Sequence, residues 1–211
     1  LGTFLACRKT LIGQDSINNV GKEARKLGAR KVLVITDAGV VAAGLIEKVL
    51  TPLKEAELAY EVFDRVLPEP PARIIDECAA QVRKGSFDQI LGVGGGSSLD
   101  TAKAACILAT NPGSILDYTG MDTVPKRGIP CILVPTTAGT GSEATRVLVM
   151  TDEAVNTKKV VYSDYLLADV AVLDPMLTLT VPPRVTADTG MDALVHAIET
   201  YVSVNTTPYA E

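Results

Sequence analysis

The segment DTGMDALVHAIE, Asp188 to Glu199, holds the single histidine of the chain, His196, four residues after Asp192. On a helix, residues at i and i+4 share a face about one turn apart. A carboxylate and an imidazole set in that way can hold one divalent metal, and the donor types suit iron, zinc, nickel or copper alike. Two donors leave the coordination shell incomplete. Glu199 falls on the same face three residues later and offers a carboxylate as an improvised third ligand. Taken alone, one histidine beside an aspartate is more often structural than metal-binding.

A second chemistry is written in GVGGGSSLDTAKA, Gly92 to Ala104. Glycines let the backbone turn sharply beside a ligand, and free N–H groups at a helix N-terminus attract an anion. The pattern departs from the G-x-G-x-x-G dinucleotide fingerprint, because Ser97 stands where its last glycine would be. Phosphate or dinucleotide binding is one reading, and a tight turn without a ligand is the other. Asp37 follows the apolar run KVLVIT, where a carboxylate can accept from a ribose 2′-OH and repel a 2′-phosphate. It can equally cap the helix that follows. PTTAGTGSEAT, Pro135 to Thr145, is a third loop rich in glycine and hydroxyls. Binding loops in open α/β sheets gather at the carboxyl ends of strands. Lys158 can reach a phosphate or ribose, or stand solvated.

These loops need strands to carry them. Strands are predicted over Lys31–Thr36, Tyr60–Asp64, Gln89–Gly94, Cys131–Thr136 and Asp169–Asp174. The last three are nearly all apolar, as in strands buried on both faces of a parallel sheet. Helices are predicted over Ile17–Leu27 with Ser16 as N-cap, Gly39–Lys54, Arg73–Lys84 and Leu99–Ala109, the last ended by Asn111-Pro112-Gly113. This alternation predicts an open parallel sheet with helices on both faces. EATRVLVMTD and KKVVYSD, joined by EAVNT, predict an antiparallel hairpin. After Pro182-Pro183 the pattern changes to one long helix, Val185–Val202. A boundary near residue 180 is expected, with 1–180 as an α/β domain and 181–211 opening an all-helical one that the sequence does not complete. Ala193, Leu194, Ala197, Ile198 and Val202 form an apolar stripe that needs a cover. The apolar run near the N-terminus is a candidate strand for a neighbouring copy's sheet.

Composition narrows the classes. The chain has 211 residues, 47% hydrophobic and 21% charged, with a net charge of -5. That is a globular balance without the basic face of a nucleic-acid binder. No run approaches about 18 apolar residues, so no membrane span is expected. The beginning does not read as a signal peptide, and a cytoplasmic location is expected. Cys7, Cys78, Cys106 and Cys131 form no C-x-x-C pair and read as small buried hydrophobes.

Together GGGSSLDTAKA, PTTAGTGSEAT, TDEAVNTKKVV, ADVAVLDPMLT and TADTGMDALVHAIETYVS resemble the iron-containing (group III) metal-dependent alcohol dehydrogenases, from about Leu11 to the last residue. The resemblance implies a Rossmann-like NAD(P)-binding domain followed by an all-helical one, the dehydroquinate synthase-like fold. It implies a pyrophosphate loop at Gly94, Gly95, Gly96 and Ser97, with Asp100 at the start of the helix. Thr136 and Thr137 would lie near the adenine, with Thr140 close by. Asp37 would favour NAD over NADP, and Lys158 and Leu177 would contact the cofactor. Asp192 and His196 would be the first two metal ligands, with two later histidines completing the set; the family does not use the Glu199 position. The implied activity is NAD-dependent interconversion of a primary or small secondary alcohol and its aldehyde or ketone by metal-assisted hydride transfer, in a homo-oligomer (dimer). The present chain alone, with half the metal site, is expected to be inactive. Two other readings stand beside it: a nucleotide-binding module without chemistry, and a lyase relative similar to dehydroquinate synthase. The sequence departs from the family at GQDS (Gly13 to Ser16), in place of a glycine-richer turn, and at Pro68-Glu69-Pro70, where many members carry P-N-P.

Overall fold

The computed structural model describes residues 4–204 and 206–208; the outer ends of the two expected domain spans, 1–3 and 209–211, lie outside the described residues. Six parallel strands form one sheet: β1 (Thr10–Ile12), β2 (Lys31–Asp37), β3 (Ala59–Val66), β4 (Gln89–Gly94), β6 (Cys131–Pro135) and β9 (Val170–Leu173), in the order β1-β9-β6-β4-β2-β3. A smaller sheet holds β5 (Gly120–Met121), β7 (Val147–Asp152) and β8 (Thr157–Tyr162) in the order β5-β8-β7, with β7 and β8 antiparallel as the hairpin pattern predicts.

The central strands β4 and β6 are buried at every position. Their side chains alternate between faces, as a strand's period of two dictates. Val32, Val34, Leu91, Val93, Ile132 and Val134 pack on one side with α1 (Val20–Lys26) and α3 (Leu45–Glu55). Leu33, Ile35, Ile90 and Leu133 pack on the other with α4 (Ala72–Gly85) and α5 (Gly96–Leu108). Double-sided cover is what makes these strands read as unbroken apolar runs.

The N-terminal apolar run enters as β1, the edge strand beside β9 of its own chain. Three differences from the sequence-based expectation have physical causes. The helix expected over Gly39–Lys54 is two, α2 (Ala38–Ala42) and α3, because Gly44 adopts a left-handed φ of 70°. Ser16 is not an N-cap. It lies inside a 3-10 turn, Ser16–Asn19, whose Ile17 N–H donates to Asp174 Oδ2 at 3.1 Å, a cap supplied from 157 residues away. Finally, α5 begins at Gly96 rather than Leu99, so the glycine turn itself enters the first helical turn.

The long helix α6 (Pro183–Val202) runs as expected, with Pro183 in its first turn, and has no buried residue. Its stripe of Leu194, Ile198 and Val202 is exposed. Among the described residues, no helix is long and apolar enough to cross a membrane.

The sheet edge carries a titratable tie. Glu23 on α1 is buried and accepts from Lys9 at 2.7 Å and from Lys26 at 2.8 Å. Burial pushes its carboxyl up, but the bonds and charges of Lys26 and Lys9 outweigh this and hold it below its ordinary value of 4.5. Ionised Glu23 therefore stabilises the fold fully above about pH 4.5, and that contribution is lost as pH falls through the lower folded value. Acid unfolding of Glu23→Gln is expected to show a shallower loss of stability below that pH than wild type; identical slopes in urea melts would remove the role.

Candidate active site

The carboxyl ends of β2, β4 and β6 converge, as the parallel topology requires. Gly94 ends β4 with φ 144°, a conformation strained for any residue with a Cβ, and hands the chain to α5. The N–H groups of Gly96 and Ser97 lie in the first turn of α5, where no intrahelical carbonyl is within reach. Thr136 N donates to Gly94 O at 2.9 Å, which locks the threonine loop to the glycine turn. Thr140 packs over Gly96: a Cβ there would sit 2.8 Å from Thr140 Cγ2. Thr137 stands beside Gly95 at ordinary contact distance. Asp37 ends β2, where Oδ1 caps α2 by accepting from Val40 N at 3.0 Å and Oδ2 accepts from Ser98 Oγ at 2.9 Å.

The helix α6 approaches this edge through a second glycine. A Cβ on Gly139 would lie 2.6 Å from the carbonyl oxygen of Thr189, so only a bare backbone admits the helix at that distance. One turn further along, Asp192 and His196 face a cleft of about 500 Å³ whose other walls include Gly96, Ser97, Asp100, Thr140 and Lys158. His196 Nε2 is 3.8 Å from Asp192 Oδ1, and the two side chains are 57% and 42% exposed. The glycine turn and the aspartate–histidine pair, read separately in the sequence, thus share one cavity.

A family model described as "Iron-containing alcohol dehydrogenase" matches residues 7–175. A second, "Fe-containing alcohol dehydrogenase family, C-terminal", matches 186–211. The chain belongs to the iron-containing alcohol dehydrogenase family. Long-chain-alcohol dehydrogenase 1 of Geobacillus thermodenitrificans is 49% identical over 203 residues, which are 95% of this chain and 51% of that protein. The crystal structure of a 1,3-propanediol oxidoreductase superposes with a TM-score of 0.96 at 37% identity, covering 99% of this chain and 55% of the other. Sulfoacetaldehyde reductase of Bifidobacterium kashiwanohense, solved in complex with NAD+, superposes at 0.89 with 33% identity and the same two coverages. The chain therefore spans about half the length of the relatives it matches.

The residues present fit half of an iron-type metal site. A metal bonded to both donors at about 2.1 Å, near tetrahedral geometry, needs them about 3.4 Å apart, and small rotations bring the observed pair to that spacing. Among the described residues no third histidine, cysteine or carboxylate joins them, Glu199 included. The fit to a dinucleotide is fuller. The first turn of α5 offers backbone donors and the hydroxyl of Ser97, whose oxygen accepts from Glu69 N at 3.2 Å and so leaves the hydroxyl proton free to donate.

Other expected members of the site have different surroundings. Leu177 is fully buried in the core, in the 3-10 turn Pro175–Leu177, and does not line the cleft. Asp100 lines it but is bound by the protein, accepting from Ser142 Oγ at 2.5 Å and from Val149 N at 2.9 Å. Lys158 on β8 pairs with Glu69 Oε1 at 2.7 Å across the cleft mouth. Glu69 itself holds φ 49°, a left-handed conformation that asparagine adopts more readily than glutamate.

Sequence reasoning missed Lys103. It sits one turn after Asp100 with its side chain fully buried, 3.1 Å from Asp100 Oδ1. Its ammonium donates to Ser142 O at 2.9 Å and to Val147 O. Burial pushes it below the usual lysine range, while Asp100 works against that shift. An i,i+3 acid–base pair in a helix ordinarily marks a solvated face, so only the apolar neighbours Leu99, Ala102, Ala104 and Ala105 hinted at burial. Replacing it with methionine would leave the Asp100 carboxylate buried without its cation. Lys103→Met is expected to lower unfolding free energy by about 3–5 kcal/mol; a denaturant midpoint equal to wild type would show the pair to be dispensable.

Proposed function

We propose that the complete protein is an NAD-dependent oxidoreductase that interconverts a primary or small secondary alcohol and its aldehyde or ketone. One observation carries the reading: the anion-binding turn at Gly96 and Ser97 lines the same cleft as Asp192 and His196. A dinucleotide whose diphosphate rests on that turn directs its nicotinamide toward the helix that bears the metal donors. The named relatives support it, since one is a long-chain-alcohol dehydrogenase and another was solved with NAD+.

In this reading Gly94, Gly95, Gly96 and Ser97 bind the diphosphate through backbone N–H groups and the Ser97 hydroxyl. Asp37 accepts from the adenosine ribose. Thr136, Thr137 and Thr140 line the approach to the adenine and hold the turn in shape. Lys158 exchanges Glu69 for a phosphate or ribose oxygen. Asp100 acts from beneath, fixing the loop at Ser142 rather than touching the cofactor, and Leu177 shapes the sheet edge from within the core. Asp192 and His196 would hold a divalent iron or zinc, with further donors from the rest of the protein. When bound, the metal supplies Lewis-acid polarisation of the substrate oxygen, and the nicotinamide supplies or accepts the hydride.

We take the boundary between the cofactor half and the helical half to lie near residue 180, a reading supported by Pro182 as the N-cap and Pro183 as the first residue of α6. A cytoplasmic homodimer without nucleic-acid or membrane partners completes the reading, in keeping with the net charge of -5.

In the full-length protein, His196→Ala is expected to abolish bound metal and turnover together while NADH titration stays within about threefold of wild type. Turnover that survives at wild-type level would reject the metal role, and loss of NADH binding alone would move His196 to the cofactor.

A further inference from the structure

We propose that Ser98 is a positioning residue for cofactor choice: its hydroxyl holds the Asp37 carboxylate in the one orientation that accepts a ribose diol and turns away a 2′-phosphate. The inference rests on the dinucleotide reading above.

One hydrogen bond lets a strand-end carboxylate pivot about the tied oxygen, and a second bond to the other oxygen narrows that freedom. Here both are. Oδ1 accepts from Val40 N at 3.0 Å, and Oδ2 accepts from Ser98 Oγ at 2.9 Å. Ser98 is 1% exposed, so no water competes for its proton, and a hydroxyl bonded to a charged acceptor is stronger than a neutral pair. The two donors come from different elements, the start of α2 and the first turn of α5. Their combined effect is to fix Asp37 relative to the glycine turn as well as to its own strand.

Neither donor carries charge, so the full negative charge of Asp37 stays at the strand end. Each carboxylate oxygen has accepted one bond and keeps further acceptor capacity for ligand hydroxyls. The space beside it is open by construction: a Cβ on Gly39 would lie 3.0 Å from Oδ1, and one on Gly94 3.0 Å from Oδ2. Two glycines therefore flank the carboxylate where any side chain would crowd it. A fixed, undiluted charge in that space accepts from two vicinal hydroxyls and opposes a phosphate placed on one of them.

Without the Ser98 hydroxyl, Asp37 keeps its capping bond through one oxygen, and the carboxylate can pivot about that bond. The diol loses a pre-oriented acceptor, and the phosphate meets a charge that can turn aside. The effect on the two dinucleotides is opposite in sign, which a general loosening of the fold would not produce.

The test is a double-mutant cycle in the full-length protein, with dissociation constants for NADH and NADPH measured by fluorescence titration for wild type, Ser98→Ala, Asp37→Asn and the double variant. Asparagine keeps the helix cap and removes the charge. Ser98→Ala is expected to reduce the preference for NADH about three- to tenfold, Asp37→Asn to reduce it further, and the double variant to match Asp37→Asn. An unmoved preference in Ser98→Ala, an equal loss for both dinucleotides, or the same shift in the Asp37→Asn background would each overturn the proposal. Wild-type protein that binds neither dinucleotide would overturn the reading beneath it, a result distinct from retained binding with unmoved preference.

Discussion

A buried ammonium organises the cleft. Lys103 has no exposed side-chain surface, and a charge in that position is tolerated only when its protons and its counter-charge are accounted for. Asp100 supplies the counter-charge from the preceding turn of α5, and the carbonyls of Ser142 and Val147 accept protons from the far side. Since Ser142 lies in the connection between β6 and β7 and Val147 opens β7, the arrangement fastens the threonine loop and the hairpin to the glycine helix. Asp100 repeats the fastening in the other direction, through Ser142 Oγ and Val149 N. Without this cluster the loop from Thr136 to Arg146 would have little but its backbone to hold it over Gly96.

The same cluster sets the electrostatics of the site. Asp100 would otherwise face the cleft as an uncompensated anion close to the first turn of α5, and would cancel the attraction that helix offers a diphosphate. Neutralised by Lys103 it does not. Glu69 is compensated differently, by an exposed lysine across the mouth. Exposed pairs of that kind are worth little in stability, so Lys158 can change partners at small cost. A permanent partner inside and an exchangeable one at the rim divide the work: the first keeps the walls in place, and the second leaves a cation available to a ligand.

Much of the scaffold was legible because burial on both faces leaves a strong signature. QILGVG and CILVPT have no polar alternation to suggest a solvent-facing side, and the β7–β8 hairpin alternates around a polar turn. The misreadings share a cause, which is that local pattern cannot see distant partners. Ser16 looks like a cap until Asp174 arrives from the other end of the domain to take the Ile17 N–H. The apolar series Val41, Leu45 and Val49 continues at i, i+4 and i+8 across Gly44, so periodicity alone joins two helices that a left-handed residue separates. In the site, residue types were readable from the motifs, and their relations were not. Nothing local says that Ser98 reaches Asp37 across 61 residues, or that Leu177 lies in the core away from the cleft.

The aim of α6 is the last piece, and it depends on backbone contact more than on side-chain packing. The helix has no buried residue, so apolar burial does not orient it within the described structure. What it has is the approach at Gly139, where the missing side chain lets Thr189 sit against the threonine loop. From Thr189 the helical repeat determines the rest: Asp192 follows by three residues and His196 by seven, so both lie on the face that Thr189 presents to Gly139. A contact in the N-terminal half of a rigid helix therefore places Asp192 and His196 opposite the glycine turn. The apolar stripe of Leu194, Ile198 and Val202 is exposed and takes no part in that orientation.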